Sequence, residues 1–165
     1  MTKEELYVTK YYSLAVAAGE MFQLNPLIIL AQGAFESGWG TSTLAKTYNN
    51  FFGITAAGSP NAFWDGKSYQ ATNQYRLKFR VYNKPDDSFR DFARLIAAKY
   101  KAAHAVNQDY KAYAQKIAYS PYISESNGDN RENYRKGIIR LYETIENVAK
   151  KKGLLPPPES PSLVV

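Results

Sequence analysis

The chain reads as an α+β domain, mainly α, in which a helical body carries a small β-hairpin lobe beside a cleft. Two observations predict this. Apolar side chains recur at helical spacing in successive stretches on both sides of residues 63–82. Within those residues the texture turns aromatic-rich and alternating, "FWDGKSYQATNQYRLKFRVY", with a turn signal at Asp65-Gly66. The junction of two such parts is a natural place for a cleft that holds a site.

In chain order, Leu6, Leu14, Ala15 and Ala18 form the apolar stripe of a first helix over 4–18. Asn25-Pro26 starts a second, with Asn as cap and Pro in the first turn. That helix is expected to run from Pro26 to Ser37 and stop at Gly38. "TSTLAKTYNNFFGI" reads as one short helical turn and then a loop. Leu77, Phe79 and Val81 alternate as a strand in a two- or three-stranded sheet. Pro85 to Ser88 begin a helix carrying Phe89, Phe92, Leu95 and Ile96, and another covers 110–118. After the loop "YSPYISESNGDN", a last helix over 131–150 is expected to bury Ile138, Leu141, Ile145 and Val148. Residues 1–150 form one domain, a length sufficient for a real core. Residues 151–165 end in the Pro-rich "LLPPPESPSLVV", expected to be disordered or a linker.

Composition narrows the partners. The net charge is +6 among 165 residues, which suits an anionic partner such as nucleic acid, a membrane surface or an acidic wall polymer. The 14 Tyr, 8 Phe and 2 Trp exceed what a small core needs. Aromatic faces suit stacking on sugars or bases, although half-buried surface Tyr is the plain alternative for any one of them. The basic residues are scattered and no nucleic-acid motif appears, so nucleic acid is not expected. There is no Cys, which excludes disulfides, thiolate zinc sites and Cys nucleophiles. No apolar run reaches the ~18 residues of a membrane span, so membrane insertion is not expected. "MTKEELYVTKYY" lacks an apolar signal core, so no signal peptide is visible in this chain. Glu125 and Asp129 in "SESNGDNRE" do not have EF-hand spacing, and neither metal nor cofactor is expected.

The chemistry concentrates at Glu36. Gln32 and Glu36 lie one turn apart on the second helix, the only polar side chains between Leu27 and Glu36. An acid at the C-terminal end of a buried helix feels the negative end of the helix dipole and loses water. Both effects favour its protonated form. A carboxyl kept neutral near neutral pH is what general-acid cleavage of a glycosidic bond requires. The glycines after it permit close approach, and Trp39 offers a stacking face. The plain alternative is a buried ion pair or a loop cap.

"AQGAFESGWGTSTLAKTYNNFFGI", Ala31 to Ile54, resembles the signature of the bacterial peptidoglycan endo-β-N-acetylglucosaminidase family. That family includes the glucosaminidase domains of flagellar peptidoglycan hydrolases and autolysins. "KFRVY" (78–82) is similar to the end of the family's β-hairpin, and "PYISE" (121–125) stands where the family has Gly-Tyr-Ala-Thr-Asp. The resemblance spans about residues 5–148 and implies a lysozyme-like fold and hydrolysis of the β-1,4 bond after N-acetylglucosamine in peptidoglycan. It implies Glu36 as general acid and Tyr122 as the groove tyrosine. Asn50 and Phe52 match the groove floor, with Gln32 and Trp39 flanking the acid; Trp39 and Phe52 read equally as core residues.

One position departs. Where many members carry a second Glu in the hairpin, this chain has Gln74, which cannot ionise but is placed to touch substrate. The second catalytic job then falls to Asp65, Glu125 or Asp129, or to the substrate's own 2-acetamido group positioned by Tyr122. Substrate assistance is preferred here, because no spare acid lies in a stretch that suggests burial. The expected partner is the glycan strand of peptidoglycan, met by a monomer acting on the cell wall, periplasmic or extracellular. A muramidase bond choice and a non-catalytic wall-binding module are the alternatives.

Overall fold

A computed structural model describes residues 1–155 of the chain. The Pro-rich stretch from Pro156 onward lies outside the described residues.

The organising element is a helix that buries nearly its whole circumference. Helix α1 (Lys3–Phe22) starts at Thr2, whose hydroxyl accepts from the Glu5 amide at 3.1 Å. It runs a turn beyond the expected span and turns in Tyr7, Val8, Tyr11, Ala15 and Ala18, while Leu6 is exposed. The aromatic residues displace Leu6 and Leu14 as the true stripe. Helix α2 (Pro26–Ser37) has the expected bounds. Asn25 caps it through Leu27 N at 3.0 Å, and Gly38 ends it at φ 56, a left-handed turn that glycine adopts without cost. Leu27 to Ala34 are all buried, because α1, helix α7 (Arg131–Lys151) and, at one end, helix α4 (Pro85–Lys99) surround α2.

Helix α3 (Thr43–Tyr48) is the expected short turn, capped by Ser42. The β-lobe is a two-stranded antiparallel sheet, β1 (Ser68–Gln70) against β2 (Lys78–Arg80), with Tyr69 opposite Phe79. A lone bridge from Thr55 to Phe79 stands where a third strand would lie. The turn at Asp65-Gly66 forms, but it leads into β1. The reversal occurs at residues 71–77, where Asn73 accepts from the amides of Tyr75 and Arg76, each at 3.1 Å. Helix α5 (Lys101–Ala105) was not expected; five residues are too few to show periodicity. Helix α6 (Tyr110–Ala118) has the expected bounds.

On α7 the buried face is Tyr134, Ile138, Tyr142, Ile145 and Ala149, with Leu141 and Val148 only half-buried. Two tyrosines take the inward positions because their hydroxyls find partners there: Tyr142 accepts from Asn25 Nδ2 at 3.0 Å, and Tyr134 accepts from Gln32 Nε2 at 3.0 Å. Beyond α7, Lys152 pairs with Glu5 at 2.8 Å, and Leu154 and Leu155 pack on the core.

A buried charge cluster ties the β-lobe to the helices. Asp91 on α4 is fully buried. Its carboxylate accepts from Arg80 Nη1 at 2.8 Å, Arg94 Nε at 2.9 Å, Asn61 Nδ2 at 3.0 Å and the Tyr82 hydroxyl. Arg80 on β2 also donates to the carbonyls of Thr55 and Ala57 and lies 4.0 Å over the Trp64 ring. Burial pushes the Asp91 carboxyl up, but the hydrogen bonds from Tyr82 and Arg94 and the charges of Arg80 and Arg94 outweigh it and hold it below the ordinary carboxylate range.

Candidate active site

The last turn of α2 opens into a groove of about 600 Å³ between the helical body and the β-lobe. Glu36 lies at that turn and lines the groove, with Phe52, Gly53 and Ile54 beside it, Phe79 and Arg80 on the lobe side, and Tyr122 and Asp129 opposite. Ser37 fixes the turn: its hydroxyl donates to Gly33 O and accepts from Gly40 N. A Cβ on Gly53 would stand 3.6 Å from Glu36 Oε2, so the chain after "NNFF" runs directly against the carboxyl.

Asn50 is what brings it there. Buried itself, it accepts from the amides of Phe52 and Ile54, each at 3.2 Å, and donates to the carbonyls of Ile54 and Arg80, each at 3.0 Å. One side chain thereby joins the loop beside Glu36 to strand β2. Asn50 does not itself line the groove; its bonds hold the loop that does.

Gln32 is also fully buried. Its carbonyl accepts from Tyr113 and its amide donates to Tyr134. A polar side chain on a buried helix needs such partners. Gln32 does not line the groove; it lies one helical turn before Glu36, inside the helix packing. Sequence reading missed Tyr113 and Tyr134; Gln32 itself was the signal that buried hydroxyls had to exist somewhere else in the chain.

Phe52 is buried but contributes to the groove surface, stacked on Phe92 with centroids 4.1 Å apart. Tyr122 lines the opposite wall, packed edge-on to Tyr100 at 5.3 Å. Trp39 is half-buried at φ 60, edge-on to Tyr7 at 5.6 Å, and is not among the groove-lining residues. Gln74 is exposed in the hairpin tip and likewise does not line the groove. The structure therefore brings Glu36, Phe52 and Tyr122 together, sets Gln32 and Asn50 behind them, and leaves Trp39 and Gln74 outside.

The Glu36 carboxyl is pushed up to about 7. Loss of hydration among the surrounding protein is the main cause, the nearby Asp129 charge adds to it, and the Tyr134 hydroxyl works the other way. Solvent still reaches Glu36 along the open groove, where the residue is exposed by surface area. The walls crowd the carboxyl without sealing it. Open access to solvent moderates the shift. Among the described residues, no group of three or more His, Asp or Glu is arranged to hold a metal, and no helix is long and apolar enough to cross a membrane.

Comparison with known proteins bears on this geometry. Residues 12–147 match the model of the glucosaminidase family, described as mannosyl-glycoprotein endo-β-N-acetylglucosaminidase. The chain belongs to the glucosaminidase family. A 39-residue stretch is 56% identical to a putative endo-β-N-acetylglucosaminidase of Streptococcus pneumoniae, covering 24% of this chain and 6% of that protein. The peptidoglycan hydrolase FlgJ of Vibrio parahaemolyticus is 25% identical over 158 residues, covering 87% of this chain and 48% of the relative. The chain thus spans at most about half the length of these curated relatives. Among solved structures, a peptidoglycan hydrolase from Sphingomonas sp. A1 superimposes with a TM-score of 0.70 at 22% identity, covering 96% of this chain and 99% of that one. That likeness shows that the two chains share a fold.

Proposed function

We propose that this domain hydrolyses the glycan strands of peptidoglycan, cutting the β-1,4 bond after N-acetylglucosamine, with Glu36 as the general acid. The observation that carries this is a carboxyl with a pKa near neutrality, at the floor of a groove sized for sugars. Glu36 donates its proton to the leaving oxygen as the glycosidic bond breaks. Phe52 offers an apolar floor and Tyr122 a hydroxyl on the opposite wall. Gln32, held by Tyr113 and Tyr134, keeps the last turn of α2 in one arrangement. Family membership supports the reaction class, and the names of the FlgJ relatives support the polymer.

Bond choice is read directly from the products. Digests of purified peptidoglycan, reduced with borohydride and analysed by mass spectrometry, are expected to carry the new reduced end on N-acetylglucosamine. A reduced N-acetylmuramic acid would instead assign a muramidase, and no new reducing end at all would assign a wall-binding module. The net charge of +6 adds a long-range attraction to an anionic wall. A Glu36→Gln protein is expected to co-sediment with insoluble wall, and to be released as salt rises and screens the exposed charges.

A further inference from the structure

Protonating the leaving group is half of the proposed reaction. A second group must activate water on the other face of the sugar, or the substrate must supply one itself. Two of the acids available for that job, Asp65 and Glu125, lie on exposed surface and neither lines the groove. Asp129 lines it together with Glu36. The preference for substrate assistance rests on no spare acid lying in a stretch that suggests burial; Asp129 is indeed exposed, but it lines the groove all the same.

We propose that Asp129 is the second catalytic carboxylate, the general base that activates the attacking water. The assignment rests on the glycosidase reading of Glu36. The residues on either side of Asp129 are fixed. Gly128 turns at φ 97, and a Cβ there would lie 3.0 Å from the Tyr75 hydroxyl of the hairpin tip. Asn130 caps α7 through Asn133 N at 2.9 Å. Arg131 donates to the carbonyls of Ala118 at 2.8 Å and Ser120 at 2.7 Å, which locks the start of α7 to the end of α6. Asp129 is thus held immediately before the positive end of a 21-residue helix, where a negative charge is favoured.

The two carboxyls differ in placement. Glu36 stands at the C-terminal end of a buried helix, where loss of hydration pushes its carboxyl up to about 7. Asp129 stands just before a helix N-terminus, and burial raises its carboxyl too. The division of labour rests on that placement: the groove holds one carboxyl at the negative end of a helix, where the proton is favoured, and one before the positive end of another, where the charge is favoured. Their electrostatic influence is visible at Glu36, where the Asp129 charge helps to keep the proton on. Thr55, Arg80, Lys99, Tyr100, Tyr122 and Ser124 are the other polar residues lining the groove with the pair, and the Tyr134 hydroxyl from α7 also acts on Glu36.

The step balances as a single displacement. The water oxygen bonds to the anomeric carbon of N-acetylglucosamine while the bond from that carbon to the bridging oxygen breaks. One water proton passes to the Asp129 carboxylate, and the Glu36 proton passes to the bridging oxygen. The product configuration is inverted, and both carboxyls then return to their starting states through solvent.

The test uses the wild-type domain with Glu36→Gln, Asp129→Asn and Asp129→Ala on soluble glycan strands. The first product seen by proton NMR is expected to be the α-anomer. Asp129→Asn is expected to lower kcat by about 10²–10³-fold with KM little changed, within the range of acid–base catalysis. Its pH profile should lose the acid limb, and the alkaline limb should move to lower pH because Glu36 no longer feels the Asp129 charge. Azide should restore turnover to Asp129→Ala and yield the α-glycosyl azide, which a merely structural loss would not do. A β-anomeric first product, or an Asp129→Asn protein within tenfold of wild type while Glu36→Gln is inactive, overturns the role of Asp129 alone. A Glu36→Gln protein as active as wild type overturns the glycosidase reading with it.

Discussion

Glu36→Gln is expected to lower turnover of peptidoglycan by about 10²–10⁴-fold, the span ascribed to a general acid, while the protein keeps its fold. The substitution preserves shape and hydrogen-bonding capacity and removes only the transferable proton. With a pKa of about 7, the wild-type acid is largely protonated below neutrality, so kcat/KM should fall as pH rises through that value. The same shift makes a separate prediction about stability. A carboxyl whose folded pKa is raised favours the native state fully only below its unfolded value near 4.3, and loses that contribution as pH rises through about 7. Glu36→Gln should therefore melt slightly above wild type at pH 8, with the difference vanishing toward pH 4. The margin is small because solvent reaches the groove. A variant that retains near-wild-type turnover, or one that unfolds, would remove Glu36 from the chemistry.

Asp91→Ala should have the largest effect on stability. It strips Arg80 of its carboxylate at a site where the guanidinium side chain is 7% exposed, leaves the Tyr82 hydroxyl without its acceptor, and frees Asn61 and Arg94. Removing one partner of such a buried pair costs roughly 3–5 kcal/mol, measurable by urea unfolding. The sign with pH follows from the depressed pKa of Asp91. Its contribution is present above the unfolded carboxylate value of about 3.9, and is lost as pH falls through the lower folded value. The gap between wild type and variant should therefore narrow in strong acid. Because Arg80 also lines the groove, activity should fall at temperatures well below the melting transition, as the hairpin loses its tie to α4. A loss under about 1 kcal/mol would mean that the cluster is replaceable by packing.

Much of this was legible in the chain. The caps Asn25 and Gly38 bound α2 because local chemistry decides both ends. Glu36 stood out because it ends a stretch whose only other polar side chain is Gln32 and is followed at once by the matched family signature. What escaped notice depended on distant partners. Asp91 falls at inward spacing with Ser88, Phe92 and Leu95, which marks it as buried, but nothing local says that Arg80 answers it from another element. Tyr134 and Tyr142 rotate the buried face of α7 because Gln32 and Asn25 wait across the interface, and apolar periodicity is blind to a wanted hydroxyl. Asp129 looked like a solvated loop acid; its place in the groove follows from where the hairpin tip and α6 hold its neighbours. The match at Trp39 and the departure at Gln74 both fall at positions that do not line the groove.

A Cβ placed on Gly128 would stand 3.0 Å from the Tyr75 hydroxyl, so the hairpin tip comes near the turn just before Asp129, although neither residue lines the groove itself. For a compact ligand this matters little. For a polymer it would change the topology of the encounter: were the tip and the turn to meet across a bound strand, that strand would be threaded, and would escape only by sliding to an end or by the tip lifting. Interior bonds of a long glycan would then be reached through that lifting, whereas free strand ends need none. The tyrosine at the tip of a seven-residue turn would thus govern where along a strand the first cut falls and how many cuts follow before release, without itself meeting the bond that breaks.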